Sequence, residues 1–261
     1  MFRQAGRVVP LFIDKHLSWN WAWARYMWAV AQDLGIPLMA GSSLPYAVYR
    51  PALVLPDRDV LAHVVAFGYS SDGFIESYGF HALEIAQFIA ERRLGGEKGV
   101  RSVRCLSGAD VWRSQAQGLC PPQLFDAAIA AVHEPQGDPR RYTDEVFALD
   151  VEYRDGLRAT TFLLGGFARE WGYAYLRSDG GVVAASTILD PPPRRAHFSA
   201  LTHALEQMFL TGQPSAPAER TLLTTGTLTY LVESAWRNGT RVATPDLDVE
   251  YTVTAPIGAR H

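Results

Sequence analysis

The order of apolar and polar positions divides the chain into two regions of different character. Val8 to Ile13 is an apolar run with the length and composition of a buried strand. It ends in the polar loop Asp14-Lys15-His16-Leu17-Ser18, where Ser18 is placed to cap a helix. Trp19, Trp23, Met27, Val30 and Leu34 follow at spacings of three and four, which predicts a helix with that stripe on the core and Gly35 as its stop. Ile36 to Ala40 is a second short strand and leads into Gly41-Ser42-Ser43-Leu44-Pro45. Strand, helix and strand of this length predict a right-handed crossover between parallel strands. Residues at the carboxyl ends of such strands face the ligand crevice, which puts Lys15, His16, Ser42 and Ser43 there.

The pattern changes after Pro56. Val60 to Tyr69 reads as a strand, and Ile75 to Leu94 as a helix with Leu83, Ala86, Gln87, Ala90 and Leu94 along one side. Val100 to Leu106 alternates like a strand. Val111 to Gln117 and Gln123 to His133 read as short helices, the second opened by Pro121-Pro122. Four strand candidates follow: Val146 to Arg154, Leu157 to Leu164, Trp171 to Arg177 and Val182 to Leu189. Asp155-Gly156 and Asp179-Gly180-Gly181 supply two of the turns. Helices over His197 to Leu210 and Glu219 to Trp236 and a strand over Leu247 to Val253 complete the reading. The predicted class is α+β: an open antiparallel sheet packed with helices, preceded by a βαβ unit. The predicted domains are residues 1–56 and 57–261.

Phe147, Leu149, Val151 and Tyr153 alternate with more polar residues, as a strand with one packed face requires. Phe162, Leu164, Phe167, Trp171, Tyr173 and Tyr175 add more apolar surface than one face needs. The expectation is a sheet with helices on one face and a second copy of the chain on the other, about a two-fold axis. The alternative is that helices around Leu124 and Leu205 cover both faces.

Composition narrows the function classes. Hydrophobic residues make up 48% and charged residues 20% of 261, the profile of a globular protein able to bury a large core. A net charge of -3 with no basic patch argues against a nucleic-acid partner. Asp190 to Arg195, DPPPRR, is the only mildly basic spot. No apolar run approaches the ~20 residues of a membrane span. The start, MFRQAGRVVPLF, does not read as a signal peptide, so the expected location is the cytoplasm. Cys105 and Cys120 are too few for a disulfide framework and read as plain thiols. The histidines have no metal-ligand spacing, so no metal site is expected, and no G-x-S-x-G elbow is present. Only two of the 24 lysine and arginine residues are lysines, Lys15 and Lys98. Lysine persists best where a compact, titratable ammonium matters, which singles out Lys15; Lys98 lies in the turn Gly95 to Gly99.

Several segments, in order, resemble the Gfo/Idh/MocA family of oxidoreductases. Val9 to Ser18, VPLFIDKHLS, resembles the family's strand ending in Glu-Lys-Pro, here Asp14-Lys15-His16. Leu38 to Ser43 resembles the next strand and its loop. Ser77 to Glu84, SYGFHALE, is similar to the substrate-site helix, whose hallmark is a histidine one turn after an aspartate. Val151 to Gly156 resembles the open sheet, and Phe198 to Glu219, with Gly212-Gln213-Pro214 inside, the late helices. The resemblance implies a dehydrogenase acting on a hydroxyl of a sugar, cyclitol or related polyol, with NAD or NADP carrying the hydride. It implies that Lys15 polarises the oxygen and also meets the cofactor, and that His81 moves the proton. It places His16, Ser42, Ser43 and Tyr78 as substrate contacts, and implies a homodimer or higher oligomer formed through the sheet.

The departures from the family pattern carry expectations too. His16 replaces proline. Ser77 stands where the aspartate would orient His81, which leaves Glu76 or Glu84 as candidates. No G-x-G-x-x-G occurs, so the dinucleotide's phosphate cradle is missing and no cofactor is expected on this chain alone. A dehydrogenase complete only with a cofactor domain is therefore weighed against a non-catalytic ligand-binding or scaffolding protein that keeps the sheet.

Overall fold

The N-terminal pattern folds as the crossover it predicts. β1 (Leu11–Asp14) runs parallel to β2 (Leu38–Gly41), in register from Leu11 opposite Leu38 to Asp14 opposite Gly41. α1 (Trp21–Asp33) connects them. The computed structural model describes residues 6–52, 55–56, 58–70, 74–187, 189 and 196–253. The basic spot at Asp190 to Arg195 lies outside these residues.

The face that α1 buries is not the one expected. Its cap is Asn20 rather than Ser18, with Asn20 Oδ1 accepting from the Trp23 N–H at 3.2 Å. The buried stripe is Trp21, Ala24 and Ala31, with Trp28 half-buried beside it, whereas Trp19 is 80% and Trp23 58% exposed. Both stripes are apolar at spacings of three and four, so periodicity cannot choose between them. Close packing does. A Cβ on Gly226 would come within 2.9 Å of the Trp21 ring, so the tryptophan side lies where a neighbouring helix has no side chain.

Beyond a 3-10 turn over Leu44–Tyr46, β3 (Tyr49–Arg50) begins the second region. Its strands are β4 (His63–Gly68), β5 (Glu97–Lys98), β6 (Val100–Ser107), β7 (Val146–Tyr153), β8 (Arg158–Leu164), β9 (Trp171–Leu176), β10 (Val182–Thr187), β11 (Val242–Ala243) and β12 (Glu250–Tyr251). Eight of the strands form one sheet in the order β11-β6-β7-β8-β4-β9-β10-β3. The fold class is α+β, and the sheet is mixed: β4 runs parallel to β8, and every other neighbouring pair is antiparallel. β4 is buried at all six positions, which is why its sequence, HVVAFG, reads as an almost unbroken apolar run.

Helices cover both faces. α2 (Ile75–Ala90) and the late helix α6 (Ala218–Trp236) share one apolar cluster with Val64, Ala66, Leu149, Val151, Tyr173 and Tyr175. α3 (Ala109–Ala116) and α4 (Pro122–Ala130) share another with Val65, Phe67, Ala148, Phe162 and Leu164. Leu205, on α5 (Ala196–Thr211), joins the first cluster and not the second. The expected open apolar face is therefore covered within the chain. Phe162, Phe167 and Tyr173 are 0% exposed, and Trp171 is 4%. Burying each such ring is worth about 1.5–3 kcal/mol; Trp171 and Tyr173 are buried in the cluster with α2 and α6, and Phe162 and Phe167 in the cluster with Leu124 and Phe125 of α4, without a second copy. Elsewhere that face is polar: Asp150, wholly buried, accepts two hydrogen bonds from Arg158 at 2.9 Å and another from Arg241. A copy-to-copy contact through an apolar sheet face thus loses its basis. The cluster that holds α2 and α6 also contains Leu17, Trp21, Leu38 and Met39, so one core spans both sequence regions.

Candidate active site

β1 ends at Asp14, and the next residue turns sharply. Lys15 adopts φ 77°, the left-handed region, and its N–H donates to the Gly41 carbonyl at 3.1 Å. The loop is held again at Leu17, whose N–H donates to Thr225 Oγ1 at 3.1 Å. Gly41 has φ 126°, and a Cβ there would lie 2.6 Å from Glu84 Oε2. Only glycine lets the end of β2 approach α2 this closely. Ser42 follows. Its N–H donates to Glu84 Oε2 at 3.3 Å, and its hydroxyl oxygen accepts from the Leu44 N–H and lies 2.7 Å from His81 Nδ1.

Aromatic rings surround His81. Trp171 meets it edge-on with ring centroids 5.9 Å apart, and Phe80 meets it at 6.0 Å. Phe80 in turn packs edge-on against His16 at 5.7 Å. Tyr78 sits 6.1 Å from Trp171 and 5.3 Å from Tyr69. Burial, reinforced by the positive charge of Lys15, lowers the His81 pKa to about 4, so its imidazole is neutral at physiological pH. Lys15 itself is half-exposed and pairs with Asp14 Oδ2 at 2.5 Å.

Lys15, His16, Ser42, Tyr78 and His81 thus form one cluster at the carboxyl ends of β1 and β2. Ser43 is buried in the 3-10 turn, its carbonyl accepting from the Tyr46 N–H, so it shapes the loop. Neither glutamate is the partner that orients His81. Glu84 turns to the Ser42 N–H and to Thr224 Oγ1, 2.7 Å away, and Glu76 lies on the exposed side of α2. The partner is Ser42, 39 residues away in sequence and without any local signal. The sequence reading also missed Trp171 and Tyr69 as walls. A Cβ on Gly68 would come within 2.4 Å of Trp171, so the small residue there is the one available hint of a large ring across the strand.

No family model and no curated protein matches this chain. Solved structures do. GenD2 from gentamicin A biosynthesis, determined with NAD, superposes with a TM-score of 0.59 at 16% identity, over 93% of this chain and 73% of that one. A myo-inositol dehydrogenase from Corynebacterium glutamicum does so with 0.56 at 13%, over 92% and 74%. The WlbA dehydrogenase from Bordetella pertussis, determined with NADH and UDP-GlcNAcA, gives 0.53 at 14%, over 93% and 73%. The chain has the fold of the Gfo/Idh/MocA-type dehydrogenases.

A dinucleotide places its pyrophosphate on glycine turns at a helix N-terminus. The strand-to-helix turn of this chain, Lys15 to Asn20, contains no glycine. The N-terminus of α1 is already taken by the Asn20 side chain. These residues do not fit a pyrophosphate. No group of three or more His, Cys, Asp or Glu side chains among the described residues could hold a metal ion. No helix among them is long and apolar enough to cross a membrane.

Proposed function

We propose that this chain supplies the substrate side of an oxidoreductase acting on a hydroxyl-bearing carbon of a sugar, cyclitol or related polyol, together with a unit that binds NAD or NADP. The observation supporting the reading is that the Lys15 backbone N–H bonds the Gly41 carbonyl while His81 Nδ1 lies 2.7 Å from Ser42 Oγ, so that both residues flank Gly41-Ser42 at the carboxyl ends of parallel strands. Lys15 and His81 match the family's lysine and histidine positions, and the fold neighbours include a myo-inositol dehydrogenase and a protein seen with a nucleotide sugar. Residues 1–56 belong on this reading to the dinucleotide-binding unit, and residues 57–261 to the substrate domain. β1 pairs only with β2 among the described residues, and Trp19, Trp23 and Tyr26 stand exposed on α1, a surface suited to cover by a further α/β layer.

Oxidising an alcohol carbon removes a hydride and a proton. The hydride needs a carrier, which the turn before α1 is not built to hold. The Lys15 ammonium is suited to bind the substrate oxygen and to stabilise negative charge developing on it. His81, neutral and half-buried, is suited to exchange the proton. Ser42 leaves the ring free to use either tautomer. Its oxygen already accepts from Leu44, so its own proton can point at Nδ1, which puts the imidazole proton on Nε2. With Nδ1–H donating to Ser42 instead, Nε2 is bare and accepts a proton. A carboxylate at the Ser42 position would hold only the second arrangement.

The turn capped by Asn20 favours a second reading, a protein that binds polyols without turning them over. Nitrogen-detected NMR of His81 during titration with myo-inositol and with glucose tests the first half of the proposal. The Nε2 resonance should move, and Lys15→Ala should abolish the movement. A His81 ring indifferent to every polyol would overturn the assignment. Polyol binding with no NAD- or NADP-dependent turnover, even when a dinucleotide-binding partner unit is supplied, would favour the second reading.

A further inference from the structure

α6 packs beneath both loops of the candidate active site, and its buried side carries Thr221, Thr224 and Thr225, which are 0%, 2% and 1% exposed. A buried hydroxyl costs free energy unless it is hydrogen-bonded. Within a helix, threonine meets that need by donating to the carbonyl four residues back, which slightly destabilises the helix. Thr229 of the same helix shows this ordinary pattern, donating to the Thr225 carbonyl at 3.0 Å. Valine has the same shape and no hydroxyl to satisfy, so packing alone does not call for three buried threonines.

Each of the three instead bonds to a different part of the site. Thr225 Oγ1 donates to the Thr221 carbonyl at 2.6 Å, and its lone pair accepts from the Leu17 N–H at 3.1 Å, two residues beyond Lys15. Thr221 Oγ1 donates to the carbonyl of Ala40, the residue before Gly41, at 2.8 Å. Thr224 Oγ1 donates to Glu84 Oε1 at 2.7 Å, closer than the Arg220 carbonyl four residues back at 3.1 Å. The other oxygen of Glu84 accepts from the Ser42 N–H at 3.3 Å. Glu84 and His81 lie one turn apart on α2, so the helix grips Ser42 twice: Glu84 by the backbone N–H and His81 by the hydroxyl. A Cβ on Gly41 would meet Glu84 Oε2 at 2.6 Å and Thr221 Oγ1 at 3.1 Å, so β2, α2 and α6 converge at this glycine.

We propose that Thr221, Thr224, Thr225 and Glu84 are positioning residues for the reaction at Lys15 and His81. Thr225 sets Lys15 through Leu17. Thr224 acts on His81 through Glu84 and then Ser42. Thr221 fixes the end of β2, against which both are placed. The two arms leave α6 by different side chains and meet different loops, so each can be broken without the other. The proposal rests on the reading of Lys15 and His81 as the reacting pair.

NMR of the ligand-free chain reads both arms without any sugar. The chain has only two lysines, so the carbon–proton spectrum of the lysine ε-methylenes shows Lys15 with Lys98 as an internal reference. Thr225→Val should move the Lys15 signal and leave the His81 ring nitrogens in place, and Thr224→Val should do the reverse. Thr225→Ser and Thr224→Ser keep the hydroxyl and should each keep the native spectrum. Valine variants that disturb both reporters alike, or neither, would overturn the positioning, because a merely structural role separates nothing. Where a valine variant does not fold, hydrogen exchange in the native chain decides. The Leu17 and Ser42 N–H groups lie in loops, yet each should exchange about a hundredfold more slowly than in an unstructured chain; exchange at the unstructured rate would overturn the two bonds. In calorimetry with myo-inositol, each valine variant should raise Kd about tenfold and each serine variant should leave it unchanged. A native chain that binds no polyol would overturn the polyol reading alone, since the ligand-free spectra still decide the positioning.

Discussion

Acid should loosen the fold through His81, by an amount that follows from its surroundings. In the unfolded chain its imidazole titrates near 6.5, whereas in the folded chain burial and Lys15 hold it down to about 4. A histidine with a depressed folded pKa favours folding above its unfolded pKa, and that stability disappears as pH falls from about 6.5 towards 4. The whole difference, about 2.5 units at 1.36 kcal/mol each, is about 3 kcal/mol. Between pH 7 and pH 5 the loss is about 2 kcal/mol. Glu84 works in the other direction, because burial raises its carboxyl above the usual range and its protonation in acid relieves the cost. A bare pH titration would therefore mix opposing signs.

A difference measurement removes the mixture. His81→Asn keeps a polar group opposite Ser42 Oγ but cannot titrate. Urea unfolding of both proteins should be followed at pH 7, 6 and 5. The stability of the native chain relative to His81→Asn should fall by about 2 kcal/mol across this range, with most of the change below pH 6. His63, hydrogen-bonded to Thr160 Oγ1 on the other face of the sheet and also held down to about 4 by burial, should give a similar result in His63→Asn. Parallel pH profiles for native and His81→Asn would show that the ring is not desolvated. The neutral-imidazole chemistry drawn from it would then fall.

Three further outcomes follow from local geometry. Gly41→Ala places a Cβ against Glu84 at a backbone angle that L residues rarely adopt; it should cost about 1–3 kcal/mol and shift the His81 ring resonances, measurable by thermal melting and NMR. Arg220 is buried with Glu91, Nε to Oε2 2.7 Å, and that carboxylate outweighs burial to hold the guanidinium above its usual pKa. Glu91→Gln strands that charge and should cost about 3–5 kcal/mol in urea, whereas a loss under 1 kcal/mol would mean water reaches the pair. Cys105 and Cys120 are buried thiols pushed up to about 12, so a thiol reagent should label neither until the chain unfolds.

Periodicity revealed the elements better than their phase or partners. α2 was expected over Ile75 to Leu94 and ends at Ala90, and the four late strands fall where alternation and the Asp-Gly turns put them. The two-residue strands β3, β5 and β11 had no signal because two residues carry no period. The last strand, expected over Leu247 to Val253, pairs only at Glu250–Tyr251. The core face of α1 was misread because Trp19 and Trp23 are as apolar as Trp21 and Trp28. The small residues Ala24, Ala31 and Gly226, which let helices approach, carry less weight in a hydropathy pattern than the rings they admit.

The site divides along the same physical line. Lys15, His16 and Ser42 were legible because strand ends in a parallel crossover face one way, a rule that depends only on chain order. The Ser42–His81 bond was not, because it joins β2 to α2 across 39 residues and depends on Gly41 bringing two backbones together. Trp171 was legible as a large apolar group but was assigned to the wrong surface. A strand residue's face follows from alternation, yet whether helix, substrate or a second copy covers that face depends on elements elsewhere in the chain. Here Trp171 is the point where these alternatives meet. Its ring closes the first apolar cluster and touches His81 and Tyr78. A residue that joins a core to a polar site is constrained by both packing and chemistry, and no pattern of single-residue hydropathy separates those constraints.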